Sequence, residues 1–167
     1  MTGARRDPPD PDAVRAFHRK FVTGVTIVTA MDGDTPRGLA VNAFSSISLS
    51  PALVLVCVAR TAATHDPLYR AERFAVNVLA HDQAGLARQF GSRRPDKFEG
   101  IPWRTGAYGC PVLDGVCAYL EAELRERVHA STHTIFIGRI LAAASTPTAP
   151  LVYMASQFYN GGSMEPA

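Results

Sequence analysis

The chain of 167 residues has only three cysteines, Cys57, Cys110 and Cys117, an odd number without C-x-x-C spacing. That argues against the disulfide framework of a small secreted domain. It also lacks any long hydrophobic run. The longest, Ala52 to Ala59, has eight residues, against the roughly 20 that cross a bilayer. Charge of one sign is missing as well. The 17 Lys+Arg and 15 Asp+Glu leave a net +2, too balanced for a dedicated nucleic-acid surface, though a local patch can still hold a phosphate. Absent too are G-x-G-x-x-G, G-x-x-x-x-G-K-[ST] and G-x-S-x-G, so neither Rossmann nor P-loop nucleotide binding nor a serine-hydrolase elbow is supported. The opening stretch, Met1 to Pro11, carries Arg5, Arg6, Asp7 and three prolines with no apolar segment behind it. Residues 1–10 therefore read as a flexible leader rather than a signal peptide. The expectation is a soluble, cytoplasmic protein that engages neither membrane nor nucleic acid.

What is present suits one β-rich domain. At this length a chain buries about 70% of its unfolded surface, a full core without staples. Gly (13) and Pro (12) favour many short elements. Asp10-Pro11 reads as a helix start, with Val14, Phe17 and Phe21 forming one apolar stripe of a short helix ending near Gly24. Gly24 to Met31 then reads as a strand, with a turn at Asp32-Gly33 and a return over Arg37 to Asn42. Ala43 to Leu49 and Ala52 to Ala59 give two more strands around a Ser50-Pro51 break. The second is apolar on both faces and is expected mid-sheet. Thr64 to Arg70 carries helix-start chemistry, Phe74 to Leu79 is a strand, and Asp82 is expected to cap a helix burying Leu86, Ala87 and Phe90. Gly91 to Gly109 is a long loop of the functional kind. In Ala118 to Val128 helix-forming composition conflicts with strict alternation of apolar and polar residues, and the alternation is taken to prevail. Thr132 to Ala144 pairs with it, and Leu151 to Met154 is a last strand. The count is about seven strands and three short helices, a mainly antiparallel barrel spanning residues 11–160 with a flexible end at 161–167.

His129 and His133 have the i, i+4 spacing of helical metal ligands, but on a strand four residues span about 13 Å, too far to share an ion. No metal is expected. The small residues Asn42-Ala43-Phe44-Ser45-Ser46 can offer backbone amides and hydroxyls to a planar ligand without steric bulk. Arg60, with Thr61 and Thr64 at a helix start, suits a phosphate. Lys97 and Phe98 can add a charge and an aromatic lid.

In order, these segments resemble the flavin reductase-like family, the reductase components of two-component flavin monooxygenases. The matching stretches are Phe21 to Thr29 (FVTGVTIVT), Arg37 to Ser46 (RGLAVNAFSS), Leu49 to Val54 (LSPALV), Arg73 to Leu79 (RFAVNVL), Asp96-Lys-Phe98 and His133 to Gly138 (HTIFIG). The resemblance implies a split β-barrel of the FMN-binding type, antiparallel and Greek-key, with a few short helices, working as a homodimer. It also implies FMN or FAD on the barrel, NADH or NADPH as hydride donor, and a separate monooxygenase that receives reduced flavin. Carried onto this chain, it puts Val41, Asn42 and Ala43 at the isoalloxazine edge, and Ser45 and Ser46 near the ribityl and phosphate. It puts Ala59, Arg60 and Thr64 on phosphate, and Lys97 with Phe98 across the site. His133 falls near the nicotinamide as an orienting donor, with Tyr153 in the same pocket. Before His133 the chain reads Ala130-Ser-Thr132 where the family pattern has a Gly-Asp type turn. A non-enzymatic flavin- or haem-binding barrel and a pyridoxine phosphate oxidase-like enzyme are the alternatives on related barrels.

Overall fold

The computed structural model describes residues 8–166. The leader expected over residues 1–10 lies outside the described residues except for Pro8, Pro9 and Asp10. From Pro11 the chain runs α1 (Pro11–Lys20), β1 (Thr23–Gly24), β2 (Thr26–Asp32), β3 (Thr35–Val41), β4 (Phe44–Leu49) and β5 (Ala52–Ala59). It continues through α2 (His65–Arg70), β6 (Arg73–Val78), α3 (Ala84–Gly91), β7 (Trp103–Thr105) and β8 (Pro111–Leu113). The last elements are β9 (Ala118–Ala130), β10 (His133–Ser145), β11 (Leu151–Met154), β12 (Gln157–Asn160) and a 3-10 turn, Gly161–Ser163. No helix among the described residues is long and apolar enough to cross a membrane.

Seven strands form one antiparallel sheet in the order β3-β2-β6-β9-β10-β5-β4. Its two edge strands follow each other in the chain, joined by Asn42 and Ala43, and no ladder connects them. This is the split barrel expected, left open at one seam. The inward face carries Val28, Val54, Val56, Phe74, Val76 and Phe136, each 0–1% exposed. The alternation over 118–128 does prevail: β9 pairs with β6 on one side and β10 on the other. Local helix propensity loses because two ladders and a buried face outweigh tenths of a kcal/mol per residue. The β2–β3 hairpin turns through Gly33-Asp34, with Gly33 at φ +61°, the left-handed conformation that glycine adopts freely.

Several expectations need correction. Helix α1 starts as foreseen, with the Asp10 carboxylate accepting from the Asp12 N–H at 3.0 Å, but it stops at Lys20 and buries nothing. Val14, Phe17 and Phe21 are 38%, 71% and 66% exposed, so the stripe faces away from its own chain. Strand β5 sits one place from the sheet edge rather than in the middle. Only Val54, Val56 and Val58 are buried, while Leu53, Leu55 and Cys57 on its outer face are half-buried. Asp82 caps nothing. The N-cap of α3 is Gln83, whose side chain accepts from Ala80 N–H and donates to the Asp114 carbonyl, both at 3.0 Å. The strands β1, β7, β8 and β12 went unforeseen, each being four residues or fewer.

A second apolar layer lies outside the barrel, where α3 and residues 92–116 cover β2 and β6. Phe90 meets Phe98 edge-on at 5.1 Å, with Ile27, Leu79 and Leu113 beneath. Polar side chains fasten this cover. Asn77, wholly buried, donates to the Ile27 carbonyl (3.2 Å) and to Thr29 Oγ1 (3.1 Å), and accepts from Leu113 N–H (2.9 Å). The Thr29 hydroxyl donates to the Pro111 carbonyl.

Candidate active site

The strand register draws one group of the expected residues together. Ala43 O accepts from Cys57 N–H at 2.9 Å, which holds the Asn42-Ala43 link beside the end of β5. Two residues on, Ala59 pairs with His133 across the β5–β10 ladder. Arg60 N–H then donates to Thr132 O at 2.9 Å. Asn42, Ala43, Arg60 and His133 are all exposed. The Arg60 guanidinium takes part in none of the ion pairs found among the described residues. A cation without a protein partner beside small residues suits an anionic, planar ligand. Val41 is 5% exposed and contributes backbone rather than side chain.

Ser45 lies opposite Leu55 and Ser46 opposite Val54, so their side chains leave β4 on opposite faces. His129 and His133 do not share a strand. They flank the Ser131-Thr132 turn, where Ser131 adopts φ +54°. The His129 ring stacks on Tyr69 at 6.1 Å, and His133 Nδ1 lies 2.9 Å from Thr132 Oγ1. Tyr153 packs against Phe158 at 5.4 Å in the outer layer. Within one chain it does not join His133.

Four residues beyond Arg60, Thr64 lines a cleft of about 460 Å³ along β3, together with Lys97, Phe98, Arg37, Gly38 and Arg94. The Thr64 hydroxyl does not cap α2; it donates to the Gly38 carbonyl at 2.9 Å. Lys97 Nζ donates to the Phe90 carbonyl at the end of α3 at 2.8 Å, where a cation complements the helix dipole. Partial burial pulls its pKa below the usual lysine range. The Phe98 ring is core rather than lid, set between Phe90 and Trp103. Asp96 accepts from the N–H groups of Phe98 and Glu99, both at 3.1 Å, and Glu99 pairs with Arg94 at 3.1 Å. Asp96 and Glu99 are thus committed internally, and the two arginines of the cleft each have an acidic neighbour, Arg94 in Glu99 at 3.1 Å and Arg37 in Asp32 at 3.9 Å.

Sequence reasoning missed Arg37, Arg94 and His65. His65, 6% exposed, contacts Asp66 Oδ1 and Thr134 Oγ1, each at 2.9 Å. A carboxylate only accepts, so Nδ1 carries a proton and donates to Asp66, while Nε2 faces the Thr134 hydroxyl. The His65–Asp66 bond is the main cause holding the Asp66 carboxyl below its ordinary range. The His65–Thr134 contact ties α2 to β10 one residue from His133. No pattern marks such a histidine in sequence; only the ladder brings Thr134 to it. Among the described residues no three His, Cys, Asp or Glu side chains converge as a metal site.

The comparisons agree with one another. The chain is 40% identical over 134 residues to a probable flavin reductase of Rhizobium meliloti (strain 1021), covering 80% of this chain but only 43% of that protein. It is 36% identical over 150 residues to HsaB, the reductase subunit of a flavin-dependent monooxygenase of Rhodococcus jostii (strain RHA1), covering 89% of this chain and 77% of that one. Among solved structures it resembles the NADH:FAD oxidoreductase SgcE6 of Streptomyces globisporus in complex with NAD and FAD fragments, with a TM-score of 0.83, 36% identity, and 92% and 95% of the two chains covered. A family model described as a flavin reductase like domain matches residues 17–162, and the chain belongs to that family of oxidoreductases.

Proposed function

We propose that residues 11–160 form an NAD(P)H-dependent flavin reductase that reduces FMN or FAD and supplies the product to a separate monooxygenase. One observation carries the reading: Asn42-Ala43, Arg60 and His133 are exposed and linked through the end of β5, and the Arg60 guanidinium is in none of the ion pairs among the described residues. That set suits a flavin, whose ring needs a flat, unobstructed support and whose phosphate needs a cation. When bound, the flavin takes at N5 the hydride that the nicotinamide gives from C4. The chain supplies placement. Amides around Val41, Asn42 and Ala43 donate to the electron-rich edge of the ring, where charge builds during transfer. Ser45 or Ser46, with Ala59, Arg60 and Thr64, holds the ribityl phosphate. Lys97 braces the end of α3, and Phe98 backs the cleft wall. His133 orients the nicotinamide as a hydrogen-bond donor, and hydride transfer asks no proton of it. Tyr153 reaches that pocket only from a second copy.

The assembly is a homodimer in this reading. On the outer face of β9, β10 and β5, Val128, Ile135 and Cys57 lie in one row, and Ile137 and Leu55 in the next. Val128 is 43% exposed and the other four are half-buried. A second copy over this apolar face would also give the exposed Asn42-Ala43 support the opposite wall that one chain lacks. The test is a steady-state assay crossing FMN and FAD with NADH and NADPH. Turnover with at least one pair is expected; none with any pair overturns the proposal.

A further inference from the structure

We propose that Glu121 is a positioning residue for flavin binding, acting through the β7–β8 hairpin on the wall of the Arg37–Arg94 cleft. The inference rests on the function proposed above. By alternation Glu121 belongs to the outward, polar side of β9, yet it is 0% exposed. The turn between β7 and β8 covers it. Glu121 Oε1 accepts from the N–H groups of Tyr108 (3.0 Å) and Cys110 (3.1 Å), while buried Oε2 has no partner. The fit is close enough that a Cβ on Gly106 would stand 2.5 Å from the carboxylate. The Cys110 thiol beside it is pushed up to about 12, by burial first and by Glu121 second, so it stays a neutral, inert neighbour.

A buried carboxylate is costly unless it does something that an apolar side chain cannot. Here it fixes two amides of one turn, and that turn sets the hairpin in which Trp103 pairs with Leu113. The Trp103 ring meets Phe98 edge-on at 5.9 Å. Phe98 is continuous with Lys97 and Asp96, which line the cleft with Arg94 and Arg37. From Glu121 to the cleft the links are hydrogen bonds, a ring contact and the covalent chain itself. The carboxylate therefore gauges how far the 94–99 wall stands from β3.

The experiment compares E121A and E121Q with the unaltered full chain. It reads kcat, KM for flavin, KM for nicotinamide, and amide hydrogen exchange at residues 94–99, 108 and 110. E121A is expected to raise the flavin KM roughly tenfold, as small misplacements do. Its kcat and nicotinamide KM should stay within about twofold of the unaltered chain. E121Q keeps an acceptor oxygen for the two amides and is expected to restore flavin KM to within about threefold. An unchanged flavin KM in E121A despite faster exchange at Tyr108 and Cys110 overturns the proposal, as does a parallel loss of all three kinetic constants. Should E121A not fold, Gly106→Ala, which drives a methyl against the same carboxylate, takes its place with the same two outcomes. If the unaltered chain reduces no flavin, the functional reading fails separately. Exchange at 94–99 then decides the coupling, acceleration supporting it and constancy overturning it.

Discussion

The barrel has two outer flanks built from the same alternating strands, and they end differently. On the flank of β2, β6 and the first half of β9, the chain supplies its own cover. Outward residues such as Asn77 and Glu121 are sealed beneath residues 92–116 and bond to the covering backbone. On the flank of β10, β5 and the second half of β9, no such cover is found among the described residues. Val128, Ile135 and Cys57 stay accessible although they are apolar. Two polar residues, Asn77 and Glu121, are buried at the otherwise apolar covered flank, while apolar ones face out on the other, the reverse of the solvent rule at those positions. An outward apolar row is stable in the open only if something outside the chain completes it.

The comparison breaks most visibly at Leu55. In the proposed homodimer, Leu55→Glu should raise the dissociation constant by a factor that corresponds to about 3 kcal/mol or more, because the new charge would be buried unpaired between the two copies. Sedimentation of the variant checks this, and a monomeric unaltered chain would erase the contrast between the flanks. On the covered flank, Asn77→Ala strips Leu113 N–H of its acceptor and the Ile27 carbonyl of a donor. A loss of about 3 kcal/mol in unfolding free energy is expected by denaturant titration. Arg60→Ala, at the seam between the flanks, should weaken flavin binding by about 1.5 to 3 kcal/mol with stability unchanged. Fluorescence titration measures it, and an unaltered dissociation constant removes Arg60 from the site. The smallest effect belongs to Glu123, whose carboxyl is held below its ordinary 4.5 by hydrogen bonds from Arg125 and Arg139. A depressed acid stabilises the fold above that value and loses the contribution as pH falls through its folded pKa. Glu123→Gln should therefore lower the neutral plateau slightly and flatten the acid limb, the two stability curves converging toward about pH 3, as a scan between about pH 3 and pH 7 reads directly.

How much of this was legible beforehand follows the same division. Inward residues announce themselves by period, so β5 matched its expected bounds and β9 was recognised against its own composition. Asn42-Ala43 and Arg60 were legible by residue type, but His133 beside them only through family resemblance, since no local spacing brings β3, β5 and β10 to one corner. Arg37 and Arg94 were not read as a pair, because a long loop has to fold back over α3 before they share a wall. Glu121 and Asn77 look like ordinary surface residues in the pattern. Their burial depends on a cover whose strands are three residues each, too short to carry a period. Gln83 displaced Asp82 as cap for a similar reason, its longer side chain being claimed by the distant Asp114 carbonyl.

Two amino acids carry the backbone from one margin of the open seam to the other. With so short a crossing, the margins cannot drift apart at that end of the barrel. A guest leaning on Asn42 and Ala43 would rest on the stretch of backbone that joins both margins.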